Sequence, residues 1–435
     1  MQTKTSKDYF KTYFMCAIGG AFEYYDFSAF IFLTSTISMN FFKVHNTVLN
    51  YEKSFLILAA GYVARFLGGL FFSHLGDTKG RKKSFMLTIL FMTLPTIGIA
   101  LLPTYNSIGF LAPILLLSFR IVQGFSMGGE GPSAITFVHE YAPKDHKTFA
   151  MGILFGGFVL GASIASFVCI LLKNLVSAEN FDQWGFRIVF AIGSMLGLFG
   201  FYLRKNIRET NEFQSLLYEK KVEKIPIKTL FLTHTPTIVR CIFLLSPSSI
   251  CFLYYILMSK LFLEKYYHLS SLFFFKFDFI FSFVNATLII FFSFLAQKFK
   301  SKKIYMFGLF SLTVFVFPTE YVFRSGNQNT IFIMLLINTI AMSACIGSVF
   351  DMLASAFPPA VRNSGVSISL NIVNGLLIGI TPLILSQSVE FFHTTIVFPI
   401  YLFVFIFMGI IAAKNNPKLI KCPSISSKCS KKMRN

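Results

Sequence analysis

Four ionisable side chains stand where such groups are rare. Glu23 and Asp26 lie in an apolar stretch running from about residue 13 to 37, and Arg120 and Glu130 lie in another from about 110 to 137. A carboxylate carried into hydrocarbon finds a cation, faces a cavity or takes up a proton. Glu23 and Asp26 are three residues apart, so on a helix they share a face. Arg120, Gln123, Met127 and Glu130 fall within an arc of about 80 degrees when each residue turns about 100 degrees, which makes one polar stripe. An acid whose proton affinity depends on a neighbouring cation can bind a proton reversibly. Asp26 or Glu23 would accept the ammonium of a zwitterion, and Arg120 would accept its carboxylate. Tyr24, Tyr25, Tyr254 and Tyr255 could offer ring faces to a quaternary ammonium. Arg65, inside a further apolar run, is either a packing partner for a carboxylate or a contact for a bound solute. A plainer reading stays open beside this one. Arg120 with an acid would be a permanent ion pair holding two helices together, and Gly128, Gly129 and Gly131 around Glu130 would mark tight helix packing.

The elements that must position these residues are membrane helices. The 435 residues are 54% hydrophobic and only 13% charged, with mean hydropathy +0.66. That is more apolar surface than one or two soluble cores could bury. A spanning helix needs about 20 apolar residues. Windows of that length recur at roughly 13 to 37, 54 to 75, 84 to 102, 110 to 137, 149 to 173, 186 to 203, 238 to 262, 271 to 296, 304 to 322, 330 to 354, 364 to 386 and 395 to 413. The eighth holds Lys276 and Asp278, and the fourth is long and glycine-rich. The expectation is an all-α integral membrane protein with twelve transmembrane helices. Residues 1–203 form an N-terminal six-helix bundle, 204–237 a cytoplasmic linker, 238–413 a C-terminal six-helix bundle and 414–435 a basic cytoplasmic tail.

Lys and Arg number 39 against 19 Asp and Glu, a formal charge of +20. Such a balance can signal nucleic acid binding, but the basic residues concentrate at 79 to 83, 204 to 240, 298 to 303 and in the tail. With both termini in the cytoplasm, that distribution follows the positive-inside rule, and no nucleic acid partner is expected. The lysines ahead of the first apolar run resemble a signal segment, yet no small-residue cleavage site follows and the run contains Glu23 and Asp26, so it reads as a retained first span. The seven cysteines give no paired framework and no metal spacing, and Cys422 and Cys429 read as reduced thiols. No phosphate-binding glycine loop is present. Nothing indicates an enzyme or a cofactor.

A third cluster lies between the second and third spans, Leu75-Gly76-Asp77-Thr78-Lys79-Gly80-Arg81-Lys82. Gly80 permits a tight turn, Asp77 can meet a helix N-terminus or an arginine, and Arg81 can bridge to neighbouring helix ends. A structural turn carrying topology charges would look the same. A second copy follows the eighth span, Leu295-Ala296-Gln297-Lys298-Phe299-Lys300-Ser301, with Gln297 standing 220 residues beyond Asp77. Half the chain is about that long, so the two halves are an internal repeat. The second copy lacks the acid and the glycine, and the constraint on it reads as weaker or different.

Several motifs together resemble the major facilitator superfamily, and within it the metabolite:proton symporters. Gly19-Gly20-Ala21-Phe22-Glu23-Tyr24-Tyr25-Asp26-Phe27 is similar to a first-span motif of that family, and Gln123-Gly124-Phe125-Ser126-Met127-Gly128-Gly129-Glu130 to a fourth-span motif. Trp184-Gly185-Phe186-Arg187-Ile188 resembles the start of its sixth span, and Leu203-Arg204 with Arg208-Glu209-Thr210 resembles the end of that span. Phe357-Pro358-Pro359-Ala360-Val361-Arg362, Asn371 and Thr381-Pro382 complete the set. Within the family, Gly69-Leu70-Phe71-Phe72, the run from Ile108 to Leu117 and Asn180 to Gly185 are most similar to the branch that carries proline and betaine. The resemblance implies two pseudo-symmetric six-helix halves with the first, fourth, seventh and tenth spans lining a central cavity. It implies a proton-coupled symporter in a bacterial plasma membrane, working as a monomer on a small zwitterion such as proline or glycine betaine by alternating access. It implies proton-coupling and substrate roles for Glu23, Tyr24, Tyr25, Asp26, Arg120 and Glu130, gating roles for Asp77, Gly80 and Arg81, and secondary roles for Arg65, Gln123, Arg362 and Asn371. An organic acid such as 2-oxoglutarate as the cargo, or a non-transporting nutrient sensor, are the alternatives.

Overall fold

The structure is a computed structural model that describes residues 6–42, 47–254, 271–325 and 327–414. It contains helices and no strands among those residues. Hydrocarbon offers no partner to an exposed peptide group, and a helix satisfies its backbone internally. The first helices are α1 (Ser6–Phe32), the short α2 (Thr34–Phe41), α3 (Thr47–Lys79), α4 (Arg81–Leu101), α5 (Leu111–Tyr141), α6 (Lys147–Leu175) and α7 (Phe186–Lys205). The linker holds α8 (Asn211–Tyr218) and α9 (Pro226–Thr233). Then come α10 (Thr235–Phe252), α11 (Ser271–Phe299), α12 (Ser301–Ser325), α13 (Gln328–Ser355), α14 (Arg362–Asn371), α15 (Ile378–Phe392) and α16 (Val397–Lys414). Among the described residues, ten helical stretches are long and apolar enough to cross a membrane. The first two expected spans coincide with α1 and α3, helices of 27 and 33 residues. The end of the expected seventh span, with Tyr255, and the tail beyond Lys414, with Cys422 and Cys429, lie outside the described residues.

Burial runs opposite to that of a soluble protein. Val63, Leu67 and Phe71 form an exposed apolar row at intervals of four on α3, while Glu23, Asp26, Asp77, Arg81, Arg120, Gln123, Glu130, Arg204 and Asn371 are buried. The exposed row fits lipid, and the polar groups face one another. α1 packs on α6 and α7, α3 on α5, and α4 on α5 and α7. Later in the chain α12 packs on α13 and α16, and α10 on α16. The two sets meet where α6 runs against α11 and where α14 lies against α3 and α5. Within the first set the glycines of α5 let it approach α3 closely: a Cβ on Gly128 would collide with the Arg65 carbonyl oxygen. Pro382 falls inside α15, and the stretch Ile372–Leu377 between α14 and α15 is a π-helix, a local widening that frequently marks functional sites.

Candidate functional site

The expected acidic and basic stripes meet inside the first set of helices. Asp26 of α1 is buried and saturated. Its Oδ1 accepts from Thr96 Oγ1 of α4 at 2.9 Å and from Gln123 Nε2 of α5 at 3.0 Å, while Oδ2 accepts from Arg120 Nη1 at 3.2 Å and from Gln123 at 3.0 Å. Arg120 also donates to Gln123 Oε1 at 2.9 Å, and its guanidinium stacks 3.9 Å over the Phe30 ring. Charge-assisted bonds of this kind are strong in a low dielectric. They fix the charges of Asp26 and Arg120 on each other.

Glu23, one turn before Asp26, differs sharply. It is buried, and its Oε2 has no hydrogen-bond partner among the described residues. It lies in the electrostatic field of Arg65, Glu130 and Arg204. Arg65 donates through Nε to Asn371 Oδ1 at 3.3 Å, which joins α3 to α14, and its terminal nitrogens have no hydrogen bond among the described residues. Asn371 donates in turn to the Gly128 and Ser367 carbonyls, each at 2.9 Å. Thus a carboxylate with one unpartnered oxygen lies in the field of a guanidinium that, among the described residues, is bonded through Nε alone.

Glu130 belongs to a different network. It takes Arg204 Nη2 at 2.5 Å, Arg204 Nη1 at 3.1 Å and the Thr88 hydroxyl, with Arg204 lying 3.5 Å over the Phe85 ring. Its expected grouping with Arg120 therefore fails. The two share an azimuth, but ten residues of rise separate them by about 15 Å along the helix. Arg204, met in sequence as part of a motif, is the partner that azimuth alone could not reveal.

Two of the tyrosines are engaged elsewhere. Tyr25 is fully buried and donates to the Val189 carbonyl at 2.8 Å, binding α1 to the α7 helix. Tyr254 donates to Glu320 at 2.6 Å with its ring between Phe323 and Phe398. Both serve packing between helices. Tyr24 is half-buried, 5.5 Å from the Phe158 ring. The aromatic faces held against buried guanidinium groups here are phenylalanines, Phe30 under Arg120 and Phe85 under Arg204.

At the linker end of the bundle, Asp77 accepts the backbone N–H of Asn363 at 3.2 Å and of Ser364 at 2.8 Å, at the first turn of α14. A carboxylate there is favoured by the unpaired N–H groups and the helix dipole. Arg81 lies 3.4 Å from Asp77, donates to Glu140 at 3.1 and 3.2 Å, and reaches the Pro359 carbonyl at 2.5 Å. Arg362 donates to Glu140 at 2.9 Å and to Glu212 at 2.5 Å, and Thr210 donates to Glu140 at 2.7 Å. Glu140 is the hub of this cluster, and sequence reasoning missed it. Its only sequence signal was an acid at the end of the fourth span. Gly80 has φ 111, and a Cβ there would collide with Glu209 Oε2. Glu209 accepts the Lys82 N–H at the start of α4. Burial raises the Glu209 carboxyl above its ordinary range, against the Thr210 and Lys82 amides that lower it.

The second copy of this loop is less degenerate than its letters. Gln297 Oε1 accepts the Phe149 N–H at 3.1 Å, in the first turn of α6, as Asp77 does on α14. Lys300 stands where Gly80 stands in the first copy and keeps a positive φ of 79. Backbone geometry and acceptor have persisted while the charge has gone.

Comparison with known proteins agrees with this architecture. The Major Facilitator Superfamily model matches residues 16–382. The chain belongs to the major facilitator superfamily. A proline/betaine transporter of Salmonella typhimurium is 31% identical over 417 residues, covering 91% of this chain and 81% of that protein. The glycine betaine/proline/ectoine/pipecolic acid transporter OusA of Dickeya dadantii is 30% identical, covering 91% and 80%. Among solved structures, the superfamily's proton:xylose symporter XylE, bound to 6-bromo-6-deoxy-D-glucose, superimposes with TM-score 0.76 at 14% identity over 94% of this chain and 95% of that one. The human organic anion transporter MFSD10 gives 0.68 at 13%, over 94% and 99%. These two share the superfamily's fold. The chain is a multi-pass membrane protein and a secondary transporter, not an enzyme.

Proposed function

We propose that this transporter is a proton-coupled symporter importing a small zwitterion such as proline or glycine betaine. The observation that carries this reading is Glu23, a buried carboxylate with an unpartnered oxygen in the electrostatic field of Arg65, whose one hydrogen bond among the described residues is made through Nε. Glu23 exchanges the proton and Arg65 receives the cargo's carboxylate. The pair of Asp26 and Arg120, already neutralised, holds α1 against α5 and sets the position of Glu23. The curated relatives named for proline and betaine support the cargo class. A dicarboxylate such as 2-oxoglutarate would bring a second negative group toward Glu23, which disfavours it.

The basic linker end is assigned to the cytoplasm by the positive-inside rule, with both termini on that side of a bacterial inner membrane. Residues 1–203 and 238–413 act as two six-helix halves that rock about the site, working as a monomer. The contacts of Asp77, Arg81, Glu140 and Arg362 close the cytoplasmic side, and contacts made in one conformation only bias the equilibrium of alternating access. Reconstituted vesicles given proline, betaine and 2-oxoglutarate, with and without an imposed pH gradient, test the reading. Gradient-driven accumulation of a zwitterion is expected. Accumulation of the dicarboxylate alone would name an organic-acid carrier, uptake indifferent to the gradient would exclude symport, and no uptake at all would favour a sensor.

A further inference from the structure

The charges missing from the second loop copy are replaced by another device. Asp351, near the end of α13, accepts from Thr148 Oγ1 of α6 at 2.8 Å and from Ser301 Oγ of α12 at 3.3 Å, so it binds the two sets of helices together at the linker end. Ser301 occupies the place that Arg81 holds in the first copy. The facing partner comes from the other half of the chain: His139 of α5 is buried, with Nε2 3.0 Å from Ser355 Oγ and 3.5 Å from Asp351 Oδ1. With its proton on Nε2, the ring donates to those acceptors. Nδ1 is then the only atom able to take a second proton, and it is buried without a partner among the described residues.

From this geometry we infer that His139 and Asp351 form a proton-responsive latch in which protonation of His139 from the cytoplasm opens the second half of the gate. The sign follows from Nδ1. A doubly protonated imidazole has two N–H donors, and in the closed state the second finds no acceptor, an arrangement that costs the full desolvation of the group. The charged groups facing the ring are Asp351 from α13, Lys147 from α6, Arg362 from α14 and Glu212 from α8, with Glu140 beside it on α5. Lys147 and Arg362 oppose a further positive charge. Asp351 favours one but already holds its Nε2 contact, and Glu212 is engaged by Arg362. Opening the gate hydrates Nδ1 and removes the penalty, so proton binding and opening reinforce each other. Imidazole titrates within the range of cytoplasmic pH, whereas Arg81 does not. One half of the gate is therefore fixed and the other is adjustable.

The inference rests on the transport reading for its orientation, but its test does not require a cargo. Spin labels at Asp145→Cys and Lys302→Cys, both exposed positions, report the separation of α6 and α12 in lipid nanodiscs. Cys422 and Cys429 are replaced by serine, and the five other cysteines are buried. Lowering pH from 8 to 5.5 should shift the closed-to-open ratio toward open by about tenfold, the change that one unit of differential proton affinity produces. His139→Gln should abolish that response. Asp351→Asn should lower the closed fraction at every pH while leaving the response in place, which separates loss of the latch from loss of its proton sensor. An unchanged response in His139→Gln, or a closed fraction that grows on acidification, would overturn the inference. A pH-independent equilibrium in a protein that still accumulates cargo on a gradient would remove the latch and leave symport standing.

Discussion

Glu23 is buried in the electrostatic field of Arg65, yet the two share no hydrogen bond among the described residues. Three residues along the same helix, Asp26 is bonded to Arg120, Gln123 and Thr96. One acid is committed to structure and the other is available, and the two should respond differently to loss of charge.

Asp26→Asn leaves Arg120 buried without its counter-charge, which costs roughly 3–5 kcal/mol in comparable pairs. Thermal unfolding in detergent should show a marked loss of stability, with uptake falling in proportion to folded protein. Restoring a neutral pair with Asp26→Asn and Arg120→Gln together should recover much of the stability. If the single variant were as stable as the natural protein, the pair would not be the brace described.

Removing Glu140 strips the hub from both Arg81 and Arg362. Glu140→Ala should shift the population toward the cytoplasm-open form, read as increased labelling of a cysteine placed at Ser364, which is fully buried beside Asp77. Equal labelling with and without Glu140 would contradict a closing role.

Lys300 holds a left-handed backbone that disfavours a residue with a Cβ by about 1–2 kcal/mol, partly offset by the greater chain entropy of glycine when unfolded. Lys300→Gly should raise stability by roughly 0.5–1 kcal/mol. Gly80→Ala should do the reverse and more, because its Cβ also meets Glu209. Paired denaturation curves of the two variants decide the point.

Burial alone would raise the Glu212 carboxyl, but Arg362 first and Lys147 after it outweigh that and hold it below its ordinary range. An acid held down in this way contributes stability above its unfolded value, about 4.3 for glutamate, and loses it as pH falls through the folded value. The difference in stability between the natural protein and Glu212→Gln should be about 1 kcal/mol, constant from pH 8 to 5 and vanishing below that. A difference that grew on acidification would reverse the assignment.

Much of this was legible in the sequence because hydrocarbon imposes simple rules. Apolar windows of spanning length placed the helices, and the polar stripe of α5 led to the pairing of Arg120 and Gln123 with Asp26, though not with Glu23. Periodicity gives azimuth but not the depth of a partner on another helix, so Glu130 was grouped with Arg120 when its cation, Arg204, comes from α7. Tyr25 and Tyr254 looked available because the acceptors that occupy them, the Val189 carbonyl and Glu320, lie more than 60 residues away. Letters also misjudged the second loop. The amide of Gln297 and the backbone of Lys300 reproduce the first copy's geometry without its chemistry.

The most direct test of Glu23 as the proton-exchanging group compares two modes of transport in vesicles holding the natural protein or Glu23→Gln. Gradient-driven accumulation of the zwitterion should be lost in the variant, by about tenfold or more, the loss that removing one coupled proton site worth about 1.4 kcal/mol produces, while exchange of labelled for unlabelled cargo across the membrane continues. Accumulation preserved in Glu23→Gln would contradict the account and move proton coupling to another residue.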